Sequence, residues 1–301
     1  MDLNVKIGPM TLRNPVGVAS GTFGYGSEYE SLIDLSAIGA IYTKAITPAP
    51  RHGNDVPRIV ETPSGMLNSI GLANVGVERF IREKLPFLAA SPCAVICNVA
   101  GADEDEYVQV MERLEPQGGI DGYEINVSCP NVKHGGLALG TDPALITCLV
   151  RRLRQLTKKA LIVKLTPNIT DITAAAIAAE DGGADAVSCI NSLIGMVIDV
   201  RAKQPVFRAG IGGLSGPAIR PVGVAMTYRV SRAVSIPVIG IGGIMCADDA
   251  LQYLLAGASA VQIGSATFAD PSTPARVRDG IEAFCIEEKC TCVDDVRRLL
   301  R

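Results

Sequence analysis

The stretch "YEINVSCPNVKHGG" at 123–136 begins as an apolar run and ends in polar, glycine-containing chain. Asn126, Ser128, Cys129, Pro130 and Asn131 stand at the changeover, so a thiol is flanked by amides where a strand should stop. An amide side chain offers a donor and an acceptor at once. A proline keeps the residue before it out of the helical region, so the chain at Cys129 is expected to be extended. Two lysines bring charge: Lys44 in "AIYTKAI" and Lys164 in "LIVKLTP" interrupt apolar runs. A lysine so placed needs a buried partner or reaches out to an anionic ligand, because an unpaired buried charge is strongly unfavourable. "GIGGIMCADDA" (240–250) and "QIGSATFADP" (262–271) set glycines directly before helical patterns, and "GGLSGPAI" (212–219) adds a third glycine turn. Backbone N–H groups at such helix starts suit a phosphate.

Those residues need a scaffold, and a rhythm supplies it. Short apolar runs recur at 15–22, 40–46, 94–101, 122–128, 161–167, 186–192, 237–243 and 260–266. Nearly continuous apolar strands alternating with helical patterns imply a parallel sheet covered by helices. Segments 144–156 and 171–183 have that helical spacing, the second stopping at Gly182 and Gly183. The expected fold is a single α/β domain over 1–301, a (β/α)8 barrel with an N-terminal β-hairpin at 3–13 and insertions after strands 2 and 6. A doubly wound open sheet is the alternative. Both insertions, 47–76 and 197–221, follow a strand and so belong on the C-terminal face, where barrel active sites lie. The strand ends collect Ser20, Lys44, Asn98, Asn126, Lys164, Asn191, Ser192, Gly242, Gly243, Gly264 and Ser265.

Other classes are disfavoured. A net charge of −3 and the absence of Trp argue against a nucleic-acid surface. The N-terminus lacks the pattern of a secretory signal and no apolar run spans a bilayer, so a cytoplasmic protein with mostly reduced cysteines is expected. His52 and His134 are the two histidines, which leaves a His-based metal site without ligands. Cys93, Cys97, Cys148, Cys189 and Cys246 are expected on apolar faces as small hydrophobes. Cys285, Cys290 and Cys292 fall in a C-terminal helical tail and receive no role. No Gly-x-Gly-x-x-Gly opens a helix, so a dinucleotide site in this chain is not expected.

Taken together, "ASGTFGYGSEY", "KAITPAPRHGN", "GMLNSIGLANVG", "INVSCPNVKHGG", "GGLSGPAIRPV" and "GIGGI" resemble the catalytic subunit of class 1B dihydroorotate dehydrogenases, over essentially the whole chain. The resemblance implies an FMN-binding barrel that oxidises (S)-dihydroorotate to orotate in pyrimidine synthesis. Hydride would go to FMN N5 and the C5 proton to Cys129 as the base. FMN contacts are implied for Ser20, Lys44, Ala45, Asn98, Asn126, Lys164, Ile190, Gly216, Gly242, Gly243, Gly264 and Ser265. Substrate contacts are implied for Lys44, Asn68, Ser69, Ile70, Gly71, Leu72, Asn126, Asn191 and Ser192. Electrons would pass to NAD through a partner subunit holding FAD and a [2Fe–2S] cluster, in a heterotetramer of two catalytic and two electron-transfer chains. His134, Gly135 and Gly136 would hinge a lid, or form a plain surface loop. Three alternatives stay open: a dihydropyrimidine dehydrogenase, a fumarate-linked class 1A homodimer, and a phosphosugar aldolase or isomerase using Lys164 as a Schiff-base amine.

Overall fold

The computed structural model describes residues 1–128 and 139–301. Cys129, Pro130, Asn131, His134, Gly135 and Gly136 lie outside the described residues. The eight apolar runs form eight parallel strands: β1 (Val16–Val18), β2 (Ala40–Tyr42), β3 (Ala94–Val99), β4 (Gly122–Asn126), β5 (Ala160–Lys164), β6 (Ala186–Cys189), β7 (Val238–Ile241) and β8 (Ala260–Ile263). Each pairs with its sequence neighbour and β8 pairs with β1, so the sheet closes into the expected barrel. The hairpin also forms, Val5–Ile7 against Met10–Leu12.

Strand alternation sorts the core. In β3, Val95, Cys97 and Val99 pack outward with helix residues such as Tyr107, Val110 and Leu149. Ile96 joins an inner cluster with Ile162, Ala160 and the hairpin's Val5 and Ile7. The hairpin therefore seals one end of the barrel with apolar side chains and leaves the other end for polar groups. The helix Glu104–Leu114 shows why the outer layer is stable. Asp103 caps it by accepting from Glu106 N, three acidic residues follow in the first turn, and Tyr107, Val110, Met111 and Leu114 recur on the buried face. The expected helices at 144–156 and 171–183 appear as Pro143–Arg154 and Ile172–Asp181. No described helix is long and apolar enough to cross a membrane.

The two insertions fold as one unit. Strands Leu193–Gly195, Gly212–Ser215, Gly65–Asn68 and Ile59–Thr62 pair in that order as a four-stranded antiparallel sheet. Gly213 lies opposite Asn68, and Leu214 opposite Leu67, so the segments after β2 and β6 are hydrogen-bonded to each other.

Two cysteine expectations need correction. Cys93, Cys97 and Cys189 are buried, but Cys148 and Cys246 are exposed. Helix Pro143–Arg154 buries Ile146, Leu149, Val150 and Leu153, which turns Cys148 to the opposite side. Cys246 occupies the N-cap position of helix Ala247–Leu255, at a turn rather than on an apolar face. Burial pushes the Cys189 thiol up to about 12, which keeps it neutral. Cys285 is buried and meets Cys290 where helix Thr273–Glu287 ends: Lys289 takes the left-handed conformation, and Cys290 N donates to Cys285 O at 2.8 Å. This helix-end motif brings those two side chains together.

Candidate active site

Lys164, the last residue of β5, is buried to 6% exposure and points into the barrel mouth. Its ammonium donates to Ser20 Oγ at 3.2 Å and stands 3.7 Å from Glu124 Oε2. Of the two outcomes open to a lysine in an apolar strand, the structure therefore shows the paired one. Glu124, on β4, is fully buried. Its carboxylate accepts from Asn98 Nδ2 at 2.6 Å, from Ser188 Oγ at 2.8 Å and from Gln262 Nε2 at 2.8 Å. Glu124, Ser188 and Gln262 are the residues that sequence reasoning missed. The signal was present: a Glu inside "GYEINV" and a Gln inside "AVQIG" interrupt apolar strands as the lysines do.

Lys44 differs from its expected setting. The run at 40–46 is a ladder strand only as far as Tyr42, and Lys44 N donates to Gly24 O at 2.7 Å, beyond the strand end. Its side chain is half-buried and has no ion-pair partner among the described residues. Burial pulls its pKa below the usual lysine range; Glu28 opposes that and Arg58 adds to it. Ala45 follows, buried, and Ile46 N returns to the barrel by donating to Asn98 O at 2.8 Å.

The amides converge. Asn191 Nδ2 donates to Asn126 Oδ1 at 3.3 Å, and Ser192 N donates to Asn191 Oδ1 at 2.8 Å. Asn68 Nδ2 donates to Gly213 O at 3.1 Å in the insertion sheet. A Cβ on Gly213 would lie 2.2 Å from Ser192 Oγ, which places Ser192 against that sheet. Ser69 through Leu72 form a tight turn backed by Asn54, whose Nδ2 donates to Ser69 Oγ at 2.8 Å and whose N donates to Ile70 O at 3.1 Å. Gly71 has φ 68°, and a Cβ there would meet Asn54 Oδ1 at 2.5 Å, so glycine is required. Leu72 shares the left-handed region, at φ 55°.

The glycines form a cradle. A Cβ on Gly243 would meet Gly216 O at 2.6 Å, and one on Gly216 would stand 3.6 Å from Ser265 Oγ. Gly216, Gly242 and Gly243 all have positive φ. Gly264 is different: a Cβ there would find only ordinary contacts, the nearest at 3.6 Å on Ala19. Tyr253 Oη donates to Gly242 O at 2.6 Å from behind the turn. Asp249 accepts from Met245 N at 2.9 Å and pairs with Arg220, tying the loop after β7 to the insertion. Ile190 N donates to Ile241 O at 3.1 Å and lines the same end. One further atom bears on a bound group: Asn98 Oδ1 is buried and accepts no hydrogen bond among the described residues. Such an acceptor suits a ligand N–H.

Comparison with known proteins places the chain in a family. Residues 2–285 match the dihydroorotate dehydrogenase family. A curated relative from Pelobacter propionicus, named dihydroorotate dehydrogenase B (NAD(+)), catalytic subunit, is 52% identical over 295 residues, covering 98% of this chain and 97% of its own. One of the same name from a Thermoanaerobacter species is 49% identical and covers 98% of both. A solved Eimeria tenella enzyme, dihydroorotate dehydrogenase bound to ferulenol, superposes with a TM-score of 0.82 at 22% identity, over 98% of this chain and 87% of that one, which speaks to the shared fold. On the family match and these near full-length identities, the chain belongs to the dihydroorotate dehydrogenase family.

Proposed function

We propose that this chain oxidises (S)-dihydroorotate to orotate with FMN, and that the electrons leave through a partner subunit to NAD. The observation that carries this is the convergence of Asn68, Asn126, Asn191 and Ser192 at one barrel mouth, beside a buried lysine and a glycine cradle. Bound FMN supplies the hydride acceptor. Gly216, Gly242, Gly243, Gly264 and Ser265 hold its phosphate through backbone N–H groups. Asn98 Oδ1, with Ser20, Lys164, Asn126, Ala45 and Ile190, holds the ring, and Lys164 balances negative charge there.

The substrate carries a carboxylate, two ring carbonyls and ring N–H groups. The three asparagines and Ser192 match its donors and acceptors, and Lys44 pairs with its carboxylate. The 69–72 turn closes over it. Cys129 takes the C5 proton. The partner carries FAD and a [2Fe–2S] cluster in a heterotetramer of two catalytic and two electron-transfer chains, a reading supported by the relatives' name as a catalytic subunit of an NAD(+) enzyme.

Purified protein should be yellow, and anaerobic dihydroorotate should bleach it. Dihydrouracil should not compete with it. Cys129→Ser should slow the bleaching by ~10²–10⁴ at neutral pH, the span for loss of a general base. Colourless protein with an active phosphosugar lyase reaction would reject the reading.

A further inference from the structure

The Lys164–Glu124 pair is more than the packing of a barrel demands. Replacing a buried ion pair by apolar side chains is commonly neutral or stabilising, so such a pair is weak support for stability as its purpose. Here the carboxylate's oxygens are filled by Asn98, Ser188 and Gln262, and the ammonium stands 3.7 Å off rather than in direct hydrogen bond. Lys164 gives one of its three donors to Ser20, and its ammonium makes no second hydrogen bond among the described residues. Tyr42 bears on the same carboxylate: burial first, and then the Glu124 charge, push its phenol up and keep it neutral. The inner barrel thus holds one fixed negative charge behind one positive charge.

We propose that Glu124 is a positioning residue that partly neutralises Lys164, and so sets how strongly the lysine's charge acts on a bound flavin. The inference rests on the flavin reading above. Three neutral donors hold the carboxylate in one place, so its field on the lysine is constant. Lowering that field strengthens the lysine's pull on a ring that gains negative charge when reduced. Glu124 therefore restrains the flavin from being too easily reduced, which keeps its electrons available to the next carrier.

Glu124→Gln removes the charge at constant shape. Gln262 Oε1 is buried without a hydrogen-bond partner among the described residues, so turning that amide over offers an acceptor to the new NH2. The test is the flavin midpoint potential, by dye-equilibrated reduction of the purified protein, together with FMN affinity by fluorescence. E124Q should raise the potential. Lys164→Gln, which leaves the carboxylate alone beside the ring, should lower it and weaken FMN binding by about 10–100-fold, the effect of one unpaired buried group. The double variant E124Q/K164Q should bind FMN more tightly than K164Q and have a higher potential. A structural filler would show no such rescue. An unshifted or lowered potential in E124Q, or a double variant no better than K164Q, overturns the proposal while flavin-loaded wild type keeps the functional reading. Wild type that binds no flavin overturns both.

Discussion

Asn191 Nδ2 donates to Asn126 Oδ1 across 3.3 Å, joining the ends of β6 and β4 over the strand that lies between them. Each amide fixes the orientation of the other, and each keeps polar atoms to spare for a planar ring. Asn191→Ala leaves Asn126 without that donor. We expect kcat/KM for dihydroorotate to fall roughly 10–100-fold, the equivalent of one or two lost hydrogen bonds to a charged ligand. Asn191→Asp should be worse, because a carboxylate there repels an anionic substrate. Steady-state kinetics decide it, and an alanine variant within about threefold of wild type would remove the pair from substrate handling.

Ser192 stands against Gly213, where a Cβ would come within 2.2 Å of its hydroxyl. Gly213→Ala should push that hydroxyl aside without touching the barrel. The expected result is a higher KM with some fall in melting temperature, since the hydroxyl can swing aside but Ser192 Cβ, 2.8 Å from the added methyl, moves only with its backbone. A large fall in melting temperature with unchanged KM would contradict it.

Lys44 gives a pH prediction. Its folded-state pKa lies below the ordinary ~10.4 of lysine, chiefly through burial. The charged form is present below that lowered value and is lost as pH rises through it. KM for the anionic substrate should therefore climb in the alkaline range, before an ordinary lysine would titrate. Arg remains charged throughout, so Lys44→Arg should move the climb to higher pH. Coincident KM–pH profiles for the two proteins would separate Lys44 from the carboxylate.

Asp249 ties Met245 N and Arg220 together behind the cradle. Asp249→Ala frees a backbone N–H and leaves a partly exposed guanidinium, an effect of about 1–3 kcal/mol once solvent reaches the arginine. The loop after β7 should loosen, and FMN should dissociate faster. Fluorescence of released flavin measures this directly, and unchanged dissociation would show that the loop holds itself.

Much of this was legible in the sequence, for a physical reason. Strands buried on both faces are mostly apolar, so each barrel strand announced itself, and Lys164 stood out against its run. The lysine's partner did not. Glu124 is bonded by residues 26, 64 and 138 positions away, so no local pattern records the cluster. Lys44 looked like a strand residue because the apolar letters around it continue past Tyr42, although the ladder ends there. Cys148 is exposed because burial follows the face its helix presents, and Cys246 because it stands at the N-cap turn ahead of its helix; the letters beside them record neither. The insertions were located but not their mutual pairing, since Asn68 and Gly213 lie 145 residues apart.

That pairing bears on protein engineering. A hairpin of Ile59–Thr62 and Gly65–Asn68 grafted alone onto another barrel would present a raw strand edge, which invites association with other chains. Substrate preference in this scaffold should accordingly transfer only when both segments are exchanged as a matched set, with the cylinder beneath serving as an interchangeable base.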